Sequence, residues 1–156
     1  MKDVYTKLKF LKFREQLDAL ENGQIAPPVH VRMKPMNPCD HDCWYCAYHV
    51  DNLQLGNLME YKDRLPREKM LEIVEDLAEM GAKAVTFSGG GEPLIYPYIS
   101  EAINKLGQSG IKVASLTNGS HLHEEIAEAF ANYGTWIRVS IDGWDAESYA
   151  KIRNVK

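Results

Sequence analysis

The chain has 156 residues and a formal net charge of -4 at pH 7, so it has the size of one domain and is not a polycation built for nucleic acid. With 45% hydrophobic and 26% charged residues, its composition is not that of a disordered or low-complexity protein. No apolar run approaches the ~18 residues of a membrane span, and lysines interrupt any N-terminal signal sequence. We therefore expect a cytoplasmic protein with no membrane partner and no evident nucleic-acid partner.

The N-terminus is predicted to form an amphipathic helix. Apolar residues recur at helical spacing over residues 4–20, and Gly23 follows as a stop signal. The apolar face would consist of Phe10, Phe13, Leu17 and Leu20. The lysine-bearing face is more simply a solvated surface than a membrane-binding one. A Pro-Pro pair at 27–28 breaks the chain, so residues 1–26 are predicted as a helical extension and 27–156 as the core domain.

From residue 29 onward, predicted strands and helices alternate. The strands are expected at 29–36, 84–88, 112–117 and 136–141, and the helices at 66–80, 98–106 and 124–133, with another opening near Ala146. This alternation requires βαβ crossovers and a parallel sheet, so the predicted fold class is α/β. Four clusters, the cysteine loop, the glycine turn, T-N-G at 117–119 and S-I-D at 140–142, lie at the C-terminal ends of predicted strands, where such sheets and barrels carry their functional groups.

The first and last predicted strands alternate apolar and polar side chains. The polar sets are His30, Arg32 and Lys34 in the first strand and Trp136, Arg138 and Ser140 in the last. Polar side chains on the inside of a curved sheet predict a hollow, wet interior that could line a cavity. The pattern assigns no particular role to His30, Arg32 or Arg138.

The only three cysteines of the chain lie in one loop. Cys39, Cys43 and Cys46 have the spacing C-x3-C-x2-C, and in a reducing compartment clustered thiols are typical of a metal site. Three thiolates can hold an iron-sulfur cluster and leave one iron open for a ligand. A structural zinc site completed by His41 or His49 is the alternative. The spacing alone leaves both interpretations open.

Two motifs together resemble those of a known superfamily. The cysteine motif follows the first strand with Tyr45 before its last cysteine, and a G-G-E-P turn at 90–93 follows the second strand. This combination resembles the radical S-adenosylmethionine (radical SAM) superfamily over about residues 28–153. The implied fold is a parallel-stranded partial (β/α) barrel, similar to a TIM barrel and truncated after about four βα units. A missing C-terminal part or another chain would then complete the barrel, cover the open edge of the last strand and supply the substrate pocket.

The resemblance also implies cofactors and site residues. It assigns Cys39, Cys43 and Cys46 to a [4Fe-4S] cluster whose open iron is chelated by S-adenosylmethionine. The further cofactor-binding residues implied are Tyr45 near the adenine, Gly90, Gly91 and Glu92 at the amino group, Asn118, Ser140 and Asp142 at the ribose or methionine part, and Arg153 at the carboxylate. Asn-Gly and Asp-Gly pairs are also ordinary turn formers. An exposed position on a helix is an equally good interpretation of Arg153.

The resemblance implies a radical SAM enzyme that acts as an oxidoreductase. A one-electron donor similar to flavodoxin or ferredoxin would reduce the cluster, S-adenosylmethionine would be cleaved to a 5'-deoxyadenosyl radical, and this radical would abstract hydrogen from an unknown substrate. No side chain is assigned as a general acid or base. The alternative is a metal-binding module without catalysis, holding a structural zinc or a cluster, or an inactive fragment.

Overall fold

Four strands form a single parallel sheet in the computed structural model, which describes residues 8–48 and 59–155. The strands are β1 (His30–Met33), β2 (Ala84–Phe87), β3 (Lys112–Thr117) and β4 (Gly134–Val139). Their order across the sheet is the order of the sequence, so each strand is added beside the previous one. A doubly wound sheet would reverse its strand order at a switch point, whereas this order is that of an unclosed (β/α) barrel segment.

Within residues 8–48 and 59–155, five α-helices accompany the sheet: α1 (Arg14–Glu21), α2 (Arg67–Glu79), α3 (Ile99–Gln108), α4 (Glu124–Tyr133) and α5 (Ala146–Arg153). Short 3-10 helices occupy Lys9–Lys12 and Pro93–Ile95. The predicted βα alternation is therefore confirmed, and β3 and α4 have the predicted bounds. None of the described helices is long and apolar enough to cross a membrane.

The hydrophobic core lies between one face of the sheet and helices α2, α3 and α4. Its fully buried members include Val85 and Phe87 of β2, Val113 of β3, and Ile103 and Leu106 of α3. Because side chains alternate along a strand, these residues leave the intervening positions on the opposite, inner face. In the described part of the chain, the core packs against one side of the sheet, and the inner face is open to the site.

The predicted N-terminal helix is present as α1 but is shorter than predicted and is not continuous over residues 8–20. Within the described residues, the chain forms the 3-10 turn Lys9–Lys12 and then α1, because Phe13 has φ -106° and ψ 69° between them. No side chain of these two described elements is buried, and Phe10 and Leu20 are 53% and 72% exposed. The predicted apolar face therefore lacks the packing that usually stabilises a short helix. Gly23 has a positive φ of 64°, as its predicted stop role requires, and residues 4–7 lie outside the described part.

The bounds of the first and last strands also differ from the prediction. β1 ends at Met33 because Pro35 has no N–H to donate, and Met36 pairs only through an isolated bridge to Arg64. β4 begins two residues early because α4 leads directly into extended backbone at Gly134. Ile141 consequently lies beyond β4 and is 70% exposed.

Candidate functional site

The loops that follow the four strands meet around one cavity. This cavity has a volume of about 200 Å³, and its wall includes all three cysteines. The other lining residues that the sequence singled out are Gly90, Gly91, Glu92, Asn118, Ser140 and Arg153. Nine of the eleven predicted site residues therefore lie in one wall, and Tyr45 and Asp142 contact it through Arg153. The convergence follows from the parallel sheet, whose strand C-termini share one edge.

The glycine turn after β2 packs directly on the start of the cysteine loop. The Gly91 N–H donates to the Met36 carbonyl at 3.2 Å, and the Glu92 N–H donates to the Pro38 carbonyl at 3.0 Å. A Cβ atom on Gly91 would lie 1.8 Å from the Pro38 carbonyl oxygen, and one on Gly90 would lie 2.2 Å from Oδ1 of Asn37. Gly91 is therefore needed for backbone-to-backbone contact with the loop that carries Cys39, and Gly90 leaves room for the Asn37 side chain.

Glu92 is a buried carboxylate that joins the glycine turn to the end of β3. Its Oε1 accepts hydrogen bonds from the Leu94 N–H at 3.0 Å and the Thr117 hydroxyl at 2.5 Å, and its Oε2 accepts from the Asn118 N–H at 2.7 Å. Burial raises the pKa of Glu92 above its ordinary value, against the lowering effect of these donors. Its predicted pairing with a cofactor ammonium stays a prediction, and both oxygens already have partners within the chain.

Asn118 continues the connection from β3 to the cysteine loop. Its Nδ2 donates to Oδ1 of Asp40 at 2.7 Å, while its Oδ1 accepts from the N–H and hydroxyl of Ser120. Burial would raise the pKa of Asp40, but hydrogen bonds from Ser120 and Asn118 keep that pKa below its ordinary value. Asp40 and Thr117 were not among the predicted site residues, although Asp40 lies inside the cysteine motif and Thr117 precedes the Asn-Gly pair.

Arg153 lies against the cysteine loop from the opposite side. Its Nη1 donates to Cys43 Sγ at 3.5 Å, and its Nη2 forms an ion pair with Asp142, which also accepts from the Tyr45 hydroxyl. The guanidinium is 5.7 Å from the centre of the Tyr45 ring and only 6% of Arg153 is exposed. Burial alone would lower the pKa of Arg153, but Cys43, Tyr45 and Asp142 together raise it. The reading of Arg153 as an exposed helix residue is therefore wrong.

Helix α5 is capped at both ends and is hydrogen-bonded to the cysteine loop. Asp145 and Ser148 form a reciprocal capping box at its start, and Asn154 adopts the left-handed conformation at its end. The Asp42 N–H donates to the Arg153 carbonyl at 3.2 Å, and Asn154 Nδ2 donates to Asp42 at 3.1 Å. The helix end is thus fastened to the cysteine loop. One buried polar atom of this region, Nε of Arg153, lacks a hydrogen-bond partner within the described chain.

The cysteines fit an iron-sulfur centre in donor chemistry and location. All three are free thiols in the wall of one cavity. Burial raises the pKa of Cys39 to about 11, with Asp40 and Glu92 adding to the effect and the His41 N–H opposing it. A metal ion would reverse this and hold the thiolate form. Among residues 8–48 and 59–155, no three His, Cys, Asp or Glu side chains are positioned to hold a single metal ion.

His41 bears on the zinc alternative. It is buried, it lines the same cavity, and its Nδ1 has no hydrogen-bond partner among the described residues. Its ring makes an edge contact with Tyr149 at 5.9 Å. Burial lowers the pKa of His41, so the ring tends to stay neutral, as a metal ligand must be. His49, the other candidate, lies outside the described residues.

Comparison with known proteins decides the family. The model of the Radical SAM superfamily matches residues 33–156, which include the cysteine loop and every other predicted site residue. The chain belongs to the radical SAM superfamily. The matched region lies inside the predicted core domain 27–156, while the division from the N-terminal extension stays a prediction.

Relatives of this radical SAM chain include enzymes of known type. An S-adenosylmethionine-dependent nucleotide dehydratase of Flammeovirga pacifica is 36% identical over 123 residues, 79% of this chain and 41% of that protein. A probable GTP 3',8-cyclase of Methanococcus maripaludis strain C7 is 31% identical over 115 residues, 73% of this chain and 36% of that protein. The chain therefore spans less than half the length of these curated relatives.

Solved structures confirm the fold. SuiB of Streptococcus suis bound to S-adenosylmethionine superposes with a TM-score of 0.68 at 17% identity, over 99% of this chain and 35% of SuiB. BtrN in complex with AdoMet and 2-DOIA gives a TM-score of 0.58 at 18% identity, over 82% of this chain and 50% of BtrN. At these identities the likeness shows the fold alone, the predicted partial (β/α) barrel with an unclosed sheet.

Proposed function

We propose that this chain is the cofactor-binding part of a radical SAM enzyme. The observation that carries the proposal is the shared cavity, whose wall combines three free cysteines with the G-G-E turn and the ends of β3 and β4. Cys39, Cys43 and Cys46 would hold a [4Fe-4S] cluster, and the adjoining cavity would receive S-adenosylmethionine. When bound and reduced, the cluster would supply the single electron for reductive cleavage of S-adenosylmethionine and so initiate radical chemistry on the substrate.

The side chains of the cavity support this function by positioning and charge. Gly91 and Glu92 fix the start of the cysteine loop, and Asn118 holds it at Asp40. The Arg153 guanidinium lies beside Cys43, where a positive charge favours the thiolate that a cluster requires. No side chain needs to transfer a proton in this scheme.

Nucleotides are the first substrate class to consider. The names of the two relatives reported above designate nucleotides as the molecules acted on, although the reactions differ. We therefore infer a nucleotide-type substrate for the enzyme that contains this chain. A flavodoxin- or ferredoxin-like electron donor and a cytoplasmic location remain predictions.

A structural zinc site is the second candidate, and the unpartnered Nδ1 of buried His41 favours it. Cys39, Cys43, Cys46 and His41 would then form a closed tetrahedral set. Such a site has no use for a glycine turn open to the cavity or for a guanidinium beside one of the thiols. We therefore rank it below the cluster.

Electron paramagnetic resonance tests the proposal. The protein would be reconstituted with iron and sulfide without oxygen, reduced, and measured with and without S-adenosylmethionine. We expect a [4Fe-4S] signal whose shape changes on addition of S-adenosylmethionine, because an open iron gains a ligand. Cys43→Ala should abolish the signal and His41→Ala should retain it. Absence of a cluster, a signal indifferent to S-adenosylmethionine, or loss of metal in His41→Ala would refute the proposal.

A further inference from the structure

The inner face of the sheet carries polar side chains that the cofactor site does not use. Val31 and Met33 pack into the core, so His30 and Arg32, which alternate with them in β1, project from the opposite face. The 2.8 Å hydrogen bond between Nε2 of His30 and the Thr86 hydroxyl shows that β2 contributes to the same face. Strand register extends one row of this face through Arg32, Thr86, Ala114 and Trp136.

This face is cationic in an acidic protein. The chain has a net charge of -4, yet no Asp or Glu occurs in any of the four described strands. Arg32 and Arg138 are both exposed on the inner face. Neither takes part in an ion pair among the described residues. Two guanidinium groups on one face of the sheet, without an ion-pair partner in the described part of the chain, attract an anion, and no carboxylate from the strands competes for them.

The cationic face borders the cofactor cavity on two sides. On the β4 side, Arg138 pairs in register with Leu116 and precedes Ser140 by two positions, and both Leu116 and Ser140 line the cavity. On the β1 side, Lys34 Nζ lies 4.7 Å from the centre of the Tyr48 ring, and Tyr48 also lines the cavity. A molecule held on this face would therefore lie next to the cofactor site.

An aromatic surface accompanies the charges. Trp136 is 47% exposed and stands in the same row as Arg32. Together with His30, Thr86 and Lys112 it lines a second cavity of about 260 Å³ at the inner face. An exposed indole on the same face of the sheet as the two arginines provides the two features that a nucleotide requires, a stacking surface and partners for phosphate.

We propose that the inner face of the sheet binds the nucleotide substrate, with Arg32 and Arg138 contacting its phosphate groups and Trp136 stacking against its base. This inference rests on the proposed function, because it places the substrate beside the S-adenosylmethionine site. Guanidinium groups match phosphate oxygens with paired hydrogen bonds, and here they break no ion pair with a described residue on binding. Arg32 and Arg138 are thus substrate-binding residues distinct from those that hold the cofactor.

Isothermal titration calorimetry on the full chain, with its cluster reconstituted, tests the assignment. The probes are the four ribonucleoside 5'-triphosphates, the corresponding nucleosides and inorganic triphosphate. We expect at least one nucleoside triphosphate to bind about tenfold or more tightly than its nucleoside, and added salt to weaken it. Arg32→Gln and Arg138→Gln should each lower that affinity about tenfold. Arg14→Gln, an exposed arginine on α1, is the matched control and should bind as the original chain does.

Trp136→Leu separates the contribution of stacking from that of charge. It should lower the affinity for the nucleoside triphosphate but leave the affinity for inorganic triphosphate unchanged. The inference is overturned if no triphosphate binds, if nucleosides bind as tightly, or if Arg14→Gln loses as much affinity as Arg138→Gln. A failure of the proposed function would give a different result: the electron paramagnetic resonance signal would not change on addition of S-adenosylmethionine. In Arg138→Gln, the paramagnetic resonance signal should still change on addition of S-adenosylmethionine, while the affinity for the nucleotide falls.

Discussion

Glu92 connects two loops of the site through a single buried carboxylate. The resemblance to radical SAM proteins suggested that this carboxylate meets a cofactor ammonium. In the structure it accepts three hydrogen bonds from Leu94, Thr117 and Asn118, so it fixes the end of β3 relative to the glycine turn. A ligand could contact only the backbone groups of the turn and the remaining lone pairs of the Glu92 carboxylate. The first role of Glu92 is therefore to position the glycine turn and the end of β3.

Replacement of Glu92 by Gln tests this role without cofactor. Gln keeps one oxygen but points an amide donor at groups that are themselves donors, leaving at least one buried N–H or hydroxyl unsatisfied. We expect the free energy of unfolding of the cofactor-free protein, measured in urea, to fall by about 1–3 kcal/mol. Glu128→Gln, at an exposed position of α4, should change it little. If Glu92→Gln unfolds like the original chain and only S-adenosylmethionine binding weakens, the carboxylate serves the cofactor instead.

At the scale of elements, the contact between the glycine turn and the cysteine loop controls whether the thiols are in place. Gly91→Ala would place its Cβ 1.8 Å from the Pro38 carbonyl oxygen, so the backbone of one segment must move. We expect this variant to bind less iron on reconstitution and to lose about 1–3 kcal/mol of stability. Iron and sulfide analysis with urea unfolding measures both quantities.

Gly110 provides the matched control for this substitution. It has a positive φ of 76° but nothing within 4 Å of the Cβ position, so Gly110→Ala strains the backbone without touching the cysteine loop. Its iron content should equal that of the original chain while its stability falls. Equal iron content in both variants would show that the close approach at Gly91 is not required for cluster binding.

Helices and strands could be predicted where neighbouring residues in the sequence determine them. Contacts between residues far apart in the sequence could not be predicted. β3 and α4 follow from apolar periodicity within a few residues, and Gly23 from its fit to a left-handed helix stop. The contacts that assemble the site join residues far apart in sequence: Glu92 to Asn118 across 26 positions, Asn118 to Asp40 across 78, and Arg153 to Cys43 across 110. No periodicity encodes such pairs, so the motifs indicated which loops matter but not how they are fastened together. The N-terminal helix is shorter than predicted for a related reason, since apolar periodicity could not show that no core surface packs against it.

In the whole molecule, the core and the site lie in different places. The residues that stabilise the fold pack between the sheet and helices α2, α3 and α4, whereas the cysteines lie in the loop beyond the C-terminal end of β1. This separation allows the site to reorganise around a cofactor while the βα units stay folded. It also explains how the inner face can carry unpaired arginines, because that face contributes little to the core.

Replacement of all three cysteines by Ala should therefore remove cluster binding without unfolding the chain. We expect amide hydrogen exchange in β2, β3 and α3 to remain as slow as in the original protein, because Val85, Val113 and Ile103 keep their packing. Exchange in the cysteine loop and at the end of α5 should be faster than in the cluster-loaded protein, since a bound cluster fastens the loop to which α5 is hydrogen-bonded. Ile103→Ala, with a cavity costing about 2–5 kcal/mol, gives the opposite pattern: faster exchange throughout the core with the thiols intact. Loss of core protection in the triple variant would mean that the cysteine loop is part of the folding unit, and the division between core and site would have to be abandoned.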